Sequence, residues 1–201
     1  MDRETIATYE LVAQDYDRKT ADFWERFPKT CIYGFYLNIH QGKVLDLGSG
    51  PGRDGLILKE NGLDVVCLDA AKNMTLLSHQ KGLDTIRGDF LTLPFKSGSF
   101  GGVWAYTSLI HIQRESLSNA LEEVNRVLKK GGILGLGMYE GEGETIRHYS
   151  EEEPLPRHFT YHSTLELNQL LTQSGFQIYY FELMEAAKHK NLLNFLARKI
   201  N

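Results

Sequence analysis

The sequence has little cysteine, no long apolar run and no block of like charge. Cys31 and Cys67 are too few for a disulfide framework, and Cys67 lies in the apolar run DVVCLD, where we expect a buried side chain. No stretch of about 18 apolar residues could span a bilayer, and the charged start MDRETIATYE does not resemble a secretory signal. We therefore expect a soluble, cytoplasmic chain with no membrane partner.

The charge balance also argues against nucleic acid as a partner. Twenty-two Lys and Arg residues against 26 Asp and Glu residues leave a formal charge of −4. The chain thus lacks the general basic surface that binds phosphate backbones. Its 201 residues suit one domain, and either a monomer or a homodimer is compatible with the composition.

Between residues 43 and 139, short apolar runs alternate with helix-like segments. KVLDL, LDVVCLD, LDTIRGD, FGGVWAYTS and ILGLGMY predict five strands, and the helices between them predict βαβ crossovers and a parallel sheet. FQIYYFEL and LLNFLARKI add two strands, close enough in sequence to form an antiparallel edge hairpin. We predict an α/β fold, a three-layer Rossmann-like sandwich with a mostly parallel seven-stranded sheet.

The ends and one internal stretch differ from this pattern. We expect residues 1–40 to form a helical cap, residues 41–138 a cofactor-binding core, and residues 164–201 a C-terminal helix with the edge strands. Residues 139–163 are polar, contain Gly and Pro, and show no sustained period. We expect a structureless loop there, on the substrate side, that acts as a lid or a binding loop.

The stretch VLDLGSGPGRDGL places three glycines, Gly48, Gly50 and Gly52, between a predicted strand and a predicted helix. Glycines let a ligand approach the main chain closely. The helix N-terminus adds unpaired N–H groups and a partial positive charge. Together these features predict a cofactor site at the carboxyl end of the parallel sheet.

The spacing of the glycines bears on which cofactor binds. A dinucleotide site requires G-x-G-x-x-G, and Arg53 stands at the third glycine position. Asp69 ends the second strand, where an acid can bind the ribose hydroxyls of NAD or of another nucleoside cofactor. The Tyr-x-x-x-Lys pair of many short dehydrogenases is missing. An NAD-binding oxidoreductase is therefore a disfavoured alternative.

Five segments, in order, resemble the class I S-adenosylmethionine-dependent methyltransferases: VLDLGSGPG, VVCLDAAKNM, GDFLTLPF, FGGVWAYTSLIHI and VNRVLKKGGILGLGM. The resemblance covers residues 40–138 closely and the final hairpin more loosely. It implies S-adenosyl-L-methionine as cofactor, S-adenosyl-L-homocysteine as product, and in-line displacement of the methyl group. A non-catalytic module that binds the same cofactor is a second alternative.

The resemblance also implies roles for individual residues. Gly48, Gly50 and Gly52 would line the methionine end of the cofactor, with Asp46 near its amino group, and Asp69 would hold the ribose hydroxyls. The remaining candidates would contact the adenine (Asn73, Met74, Asp89 and Phe90), approach the amino-acid part (Trp104 and Ala105) or close the pocket (Tyr16).

The sequence signals for the methyl acceptor are less specific than those for the cofactor. His111 is a candidate general base because imidazole titrates near neutral pH, and Tyr106 is a second candidate. No Asn-Pro-Pro-Tyr-like or Asp-Pro-Pro-Tyr-like motif stands at the end of the fourth strand, which argues against DNA or RNA as the acceptor. A small molecule is the favoured acceptor, and a protein side chain stays open. The candidate substrate-binding residues are Tyr139, Glu140, Arg157, His158 and Tyr161. The spacing of His148, His158 and His162 does not suit a metal site, and we expect none.

Overall fold

A seven-stranded sheet forms the centre of the computed structural model, which describes residues 2–40, 42–152, 154–187 and 190–200. The strands are β1 (Lys43–Leu47), β2 (Val65–Asp69), β3 (Asp84–Arg87), β4 (Phe100–Tyr106), β5 (Leu128–Tyr139), β8 (Phe176–Ala187) and β9 (Lys190–Lys199). Their order in the sheet is β3-β2-β1-β4-β5-β9-β8. Strands β1 to β5 are mutually parallel, whereas β9 runs antiparallel to β5 and to β8.

Helices cover both faces of this sheet, as the alternating pattern predicts. They are α1 (Arg3–Thr20), α2 (Phe23–Arg26), α3 (Thr30–Leu37), α4 (Arg53–Glu60), α5 (Lys72–Gln80), α6 (Leu117–Val127) and α7 (Thr164–Gln173). Leu117, Leu121 and Val124 of α6 are fully buried in the core on one face. Ile32 and Phe35 of α3 are fully buried on the other. The predicted three-layer fold is confirmed.

The C-terminal hairpin is also confirmed, and its last strand lies inside the sheet. Strand β9 pairs with β5 from Ile133↔Arg198 to Tyr139↔Leu192, so β8 becomes the edge strand. Leu192, Leu193, Phe195 and Leu196 are almost completely buried. This apolar sequence suits a strand with neighbours on both sides.

Helix α1 lies across the carboxyl edge of the sheet. Glu10 accepts hydrogen bonds from the backbone N–H groups of Lys72 and Asn73, at 2.5 and 2.8 Å, and so covers the N-terminus of α5. Thr8 donates to the carbonyl of Pro156 at 2.6 Å. The helix is thereby anchored on both sides of the edge where parallel α/β sheets bind ligands.

The expectation of a structureless loop over residues 139–163 is wrong. Strands β6 (Glu144–His148) and β7 (Pro156–Thr160) form an antiparallel hairpin there. The alternation of inward and outward side chains is hard to recognise in the sequence, because the inward face carries Arg147 and Arg157 rather than apolar residues alone. Among the described residues, no helix is both long and apolar enough to cross a bilayer.

Candidate functional site

Three connected clefts lie at the carboxyl edge of the sheet. The central cleft encloses about 440 Å³ between α1 and the ends of β1, β2 and β4. The acidic cleft, of about 370 Å³, lies beside it over the start of α4, and the aromatic chamber, of about 760 Å³, lies under the β6–β7 hairpin. Tyr16 and Thr107 line all three, so they stand where the clefts meet.

The glycine turn after β1 forms one wall of the central cleft. Gly48 has φ +71°, and a Cβ there would lie 2.3 Å from the Cβ of Ser108. Gly50 has φ +54° and nothing closer to an added Cβ than Tyr16 Cε1 at 3.9 Å, so its main chain is open to the cleft. Positive φ and close approach are what glycine permits.

Asp69 lies opposite this turn, at the end of β2. Its carboxylate accepts from Gly50 N–H at 2.9 Å and from Ala71 N–H at 2.8 Å, one bond to each oxygen. Burial raises the pKa of Asp69 to about 6, against the effect of these N–H donors, which lower it. Each carboxylate oxygen has two acceptor sites, so a ligand can still donate to both.

Asp54 forms the floor of the acidic cleft. The indole N–H groups of Trp24 and Trp104 donate to its two oxygens at 2.7 and 2.9 Å, and Arg53 Nε donates at 2.6 Å. Burial alone would raise its pKa, but the charge and hydrogen bonds of Arg53 and the two indoles lower it. Burial and the nearby Asp54 charge raise the pKa of Asp46, which lines the same cleft.

Tyr9 and His111 form a hydrogen-bonded pair between the central cleft and the aromatic chamber. His111 Nδ1 lies 2.7 Å from the carbonyl of His158, so Nδ1 carries the proton and Nε2 is the acceptor. Tyr9 Oη lies 2.9 Å from that Nε2 and donates to it. Burial lowers the pKa of His111 to about 4, although the bond to the His158 carbonyl raises it. The imidazole is therefore neutral and a weak base.

Two residues after β4 have unusual local states. Thr107 has φ +54°, a conformation that costs a β-branched residue about 1–3 kcal/mol. Ser108 Oγ is buried against the central cleft without a hydrogen-bond partner among the described residues. Backbone strain and an unsatisfied hydroxyl at one cleft are both typical of a ligand site.

The structure brings most of the expected cofactor residues together. Around the central cleft lie Tyr16, Gly48, Gly50, Asp69, Met74 and Phe90, and Asp46 lies in the adjoining acidic cleft.

Five of the expected cofactor residues do not line either cleft. Gly52 faces Ser78 and Leu83 inside the fold, and Ala105 is fully buried in the core. Asn73 Nδ2 donates to the carbonyl of Glu10, and Asp89 accepts from the N–H of Leu91. Trp104 is fully buried and acts through Asp54.

Tyr106 points its hydroxyl away from the place where an acceptor could bind. Its ring stacks on Trp104, with centroids 5.1 Å apart and planes 2° from parallel. The hydroxyl is buried and has no hydrogen-bond partner in the described part of the chain. Tyr106 lines the acidic cleft and does not line the aromatic chamber, so its buried hydroxyl is poorly placed to take a proton from an acceptor bound there.

The expected substrate residues divide in the same way. Tyr139 and Arg157 line the aromatic chamber. The Tyr161 hydroxyl is buried, Glu140 is bonded to Asn191 on the surface, and the His158 ring lies 3.4 Å from Glu144. His158 contributes its backbone, which accepts from His111.

Several cleft residues were missed at the sequence level. Tyr9 belongs to the apolar stripe of α1, where a packing role was the natural interpretation. Arg147 and Tyr149 lie in the stretch expected to be a loop, so no shared face was assigned to them. The available signal was the alternation of Arg147 with Tyr149, which follows β6, and of Arg157 with Phe159 on β7.

A family model described as a methyltransferase domain matches residues 45–136, the segment that carries the glycine turn, Asp69 and His111. The chain is 31% identical over 151 residues to a putative methyltransferase from Encephalitozoon cuniculi, a match that covers 67% of this chain and 70% of that protein. The chain belongs to the class I S-adenosylmethionine-dependent methyltransferases. This membership confirms the expected family and, with it, S-adenosyl-L-methionine as the cofactor.

Other methyltransferases resemble parts of the chain or its fold. A sarcosine/dimethylglycine N-methyltransferase from Aphanothece halophytica is 36% identical over 99 residues, which is 45% of this chain and 35% of that protein. The chain spans 27% to 57% of the length of several further curated methyltransferases that it matches. The solved structure of a SAM-dependent methyltransferase from Methanosarcina mazei superposes with a TM-score of 0.75 at 21% identity, covering 87% of this chain and 98% of that one.

The clefts of this methyltransferase domain suit the cofactor chemically. The open main chain at Gly50 leaves room for a ligand against the turn. Asp69 has acceptor capacity left for two ribose hydroxyls. Ser108, whose hydroxyl has no partner among the described residues, lines the same cleft. In the adjoining cleft Arg53 neutralises Asp54, which leaves Asp46 as the carboxyl group available to an ammonium group.

Proposed function

We propose that this chain transfers the methyl group of S-adenosyl-L-methionine to a small molecule bound in the aromatic chamber. The observation that carries the proposal is that the central cleft and the aromatic chamber adjoin at Tyr16 and Thr107, which line both. When bound, the cofactor supplies an activated methyl group. The protein's task is then to align the acceptor and exclude water. The similarity to a sarcosine/dimethylglycine N-methyltransferase from Aphanothece halophytica supports a small acceptor.

In this proposal the Tyr9–His111 pair handles the acceptor proton. If the attacking atom is a hydroxyl oxygen, its proton passes to Tyr9 Oη while the Tyr9 proton passes to His111 Nε2. Arg157 Nη1 lies 3.3 Å from Tyr9 Oη and favours negative charge on it. A weak base is sufficient for this acceptor, because methylation of the oxygen makes the attached proton strongly acidic. His111 is thus an acceptor for a proton that is already leaving.

The test is a screen of a metabolite library with the purified chain and S-adenosyl-L-methionine, with release of S-adenosyl-L-homocysteine as the readout. A hit should give a methylated product by mass spectrometry, and His111→Ala should lower its turnover with little change in cofactor affinity. Asp64→Ala is a matched control, since Asp64 is an exposed acid at the opposite end of β2.

Other results would favour the other functions. Tight binding of NADH without binding of S-adenosyl-L-homocysteine would contradict the proposal and support an oxidoreductase. Binding of S-adenosyl-L-homocysteine with no product from a broad library would support a module that binds the cofactor without turnover. Equal loss of turnover and cofactor affinity in His111→Ala would assign His111 a structural role.

A further inference from the structure

The aromatic chamber has a charge of one sign. Its described lining contains Arg147, Arg157 and Lys190 but no aspartate or glutamate. The rest is mainly aromatic, with Tyr139, Tyr149 and Phe159 among its members. Two of the expected substrate-binding residues, Glu140 and His158, do not line the chamber, because the first is bonded to Asn191 and the second lies beside Glu144.

The two arginines face each other directly across the hairpin. The register of β6 and β7 pairs Arg147 with Arg157, which sets their Cβ atoms about 5 Å apart on the same face of the sheet. Their guanidinium carbons lie 5.5 and 5.2 Å from the centre of the same Phe159 ring. Like charges directly opposite on neighbouring strands are destabilising. The pairing therefore costs stability unless something compensates for it.

No described carboxylate compensates for these two charges. The ion pairs among the described residues include neither Arg147 nor Arg157. Arg157 Nε is buried and has no hydrogen-bond partner in the described part of the chain. The Nη atoms of Arg157 contact only neutral oxygens of the described residues, those of the Tyr9 hydroxyl and the His148 carbonyl. The nearby Arg114, in contrast, is paired with the carboxylate of Glu166. Buried donors without partners are rare unless a ligand uses them.

We propose that the methyl acceptor carries a carboxylate or phosphate group, which Arg147 and Arg157 hold, joined to a flat apolar body that packs on Phe159 and Tyr149. Paired guanidinium groups match the geometry of such anions and bind them through two parallel N–H donors. The proposal rests on the proposed methyl transfer, because it assigns the chamber to the acceptor. The anion would lie at the hairpin end of the chamber, which leaves the reacting end of the molecule toward Tyr9 and Thr107.

The test measures binding of three probes to the complex with S-adenosyl-L-homocysteine, by calorimetry. Phenyl phosphate and benzoate carry the anion, and benzamide is the neutral counterpart of benzoate. We expect at least one anion to bind about tenfold or more tightly than benzamide, and its affinity to fall with added salt. Comparing phenyl phosphate with benzoate decides between phosphate and carboxylate.

Variants assign that binding to the arginine pair. Arg147→Gln should weaken binding of the preferred anion about tenfold or more and leave the affinity for S-adenosyl-L-homocysteine unchanged. Arg147→Lys should retain part of the affinity for the anion. Arg157→Gln is the second test. Arg198→Gln is the matched control, because Arg198 also lies over an aromatic ring, 5.6 Å from Tyr179, but at the opposite end of the sheet.

Three results would overturn the proposal: no binding of either anion, benzamide binding as tightly as benzoate, or unchanged anion affinity in both Arg147→Gln and Arg157→Gln. These failures differ from failure of the proposed function. Loss of the anion preference with S-adenosyl-L-homocysteine still bound leaves methyl transfer to a neutral acceptor intact. Absence of S-adenosyl-L-homocysteine binding removes the proposed function first.

Discussion

Cofactor binding should depend on the ionisation of Asp69. Its pKa is raised to about 6 because it is buried, and the N–H donors of Gly50 and Ala71 offset this only in part. Ribose hydroxyls donate hydrogen bonds more strongly to a carboxylate than to a carboxylic acid. The affinity for S-adenosyl-L-homocysteine should therefore fall as Asp69 takes up a proton.

The size of this effect follows from the pKa. About one unit below a pKa of about 6, only about a tenth of the protein has Asp69 ionised, so the apparent affinity at pH 5 should be about tenfold weaker than at pH 8. The change corresponds to about 1.4 kcal/mol.

In the absence of ligand, protonation of Asp69 has the opposite effect: it stabilises the folded protein. Because the folded pKa is raised above the ordinary 3.8, the contribution of Asp69 to stability is fully present below about pH 4 and is lost as pH rises through about 6. The loss approaches about 3 kcal/mol. Cofactor binding above pH 6 offsets part of this cost.

Calorimetric titration of S-adenosyl-L-homocysteine between pH 5 and pH 8 measures the effect. Asp69→Asn should bind more than about tenfold more weakly and show a shallower profile, since the amide does not titrate in this range and only Asp46, whose pKa is also raised, remains. Asp64→Asn, just before the exposed start of β2, should retain the wild-type profile. A flat profile in the wild-type protein, or an unchanged slope in Asp69→Asn, would refute the assignment of Asp69 to the ribose.

Three further substitutions test other parts of the site. Asp54→Asn should lower the free energy of unfolding by about 3 kcal/mol in urea denaturation, because it removes the charge that compensates buried Arg53. Gly48→Ala should cost about 2 kcal/mol or more and abolish cofactor binding in calorimetry, because its Cβ would meet Ser108 at 2.3 Å. Tyr9→Phe should lower kcat about tenfold to hundredfold with cofactor affinity within about twofold, since only the hydroxyl that bonds His111 is lost.

Each of these has an outcome that counts against it. Asp22→Asn, which breaks an exposed ion pair with Arg26, should cost less than about 1 kcal/mol. If Asp54→Asn costs no more than this control, the buried network does not stabilise the fold. A Gly48→Ala protein with normal cofactor affinity would separate the glycine turn from the cofactor. Unchanged kcat in Tyr9→Phe would remove the proposed proton route.

The sheet and the glycine turn could be predicted because their signals are local. Apolar runs such as KVLDL and VVCLD each form one largely buried strand. In the helices between such strands, apolar residues recur every three to four positions. Gly48 and Gly50 adopt positive φ, a conformation that glycine reaches far more readily than other residues. Asp69 follows from the same logic, as the polar end of an apolar strand.

The tertiary structure alone decided which residues share a cleft. Trp104 lies near the carboxyl end of an apolar strand, as Asp69 does, yet its indole contacts Asp54 inside the protein because strand alternation directs it to the face that α2 and α3 cover. Tyr9 and His111 are 102 residues apart and meet only because α1 crosses the sheet edge.

The contrast has one physical cause. The conformation of the glycine turn and the burial of the strands depend on residues that are close in the chain. The sequence by itself therefore determined these features on the cofactor side. The acceptor side depends on the register of a polar hairpin, and register is weakly specified where neither face is strongly apolar. The facing arginines, Arg147 and Arg157, therefore became visible only once β6 and β7 were paired.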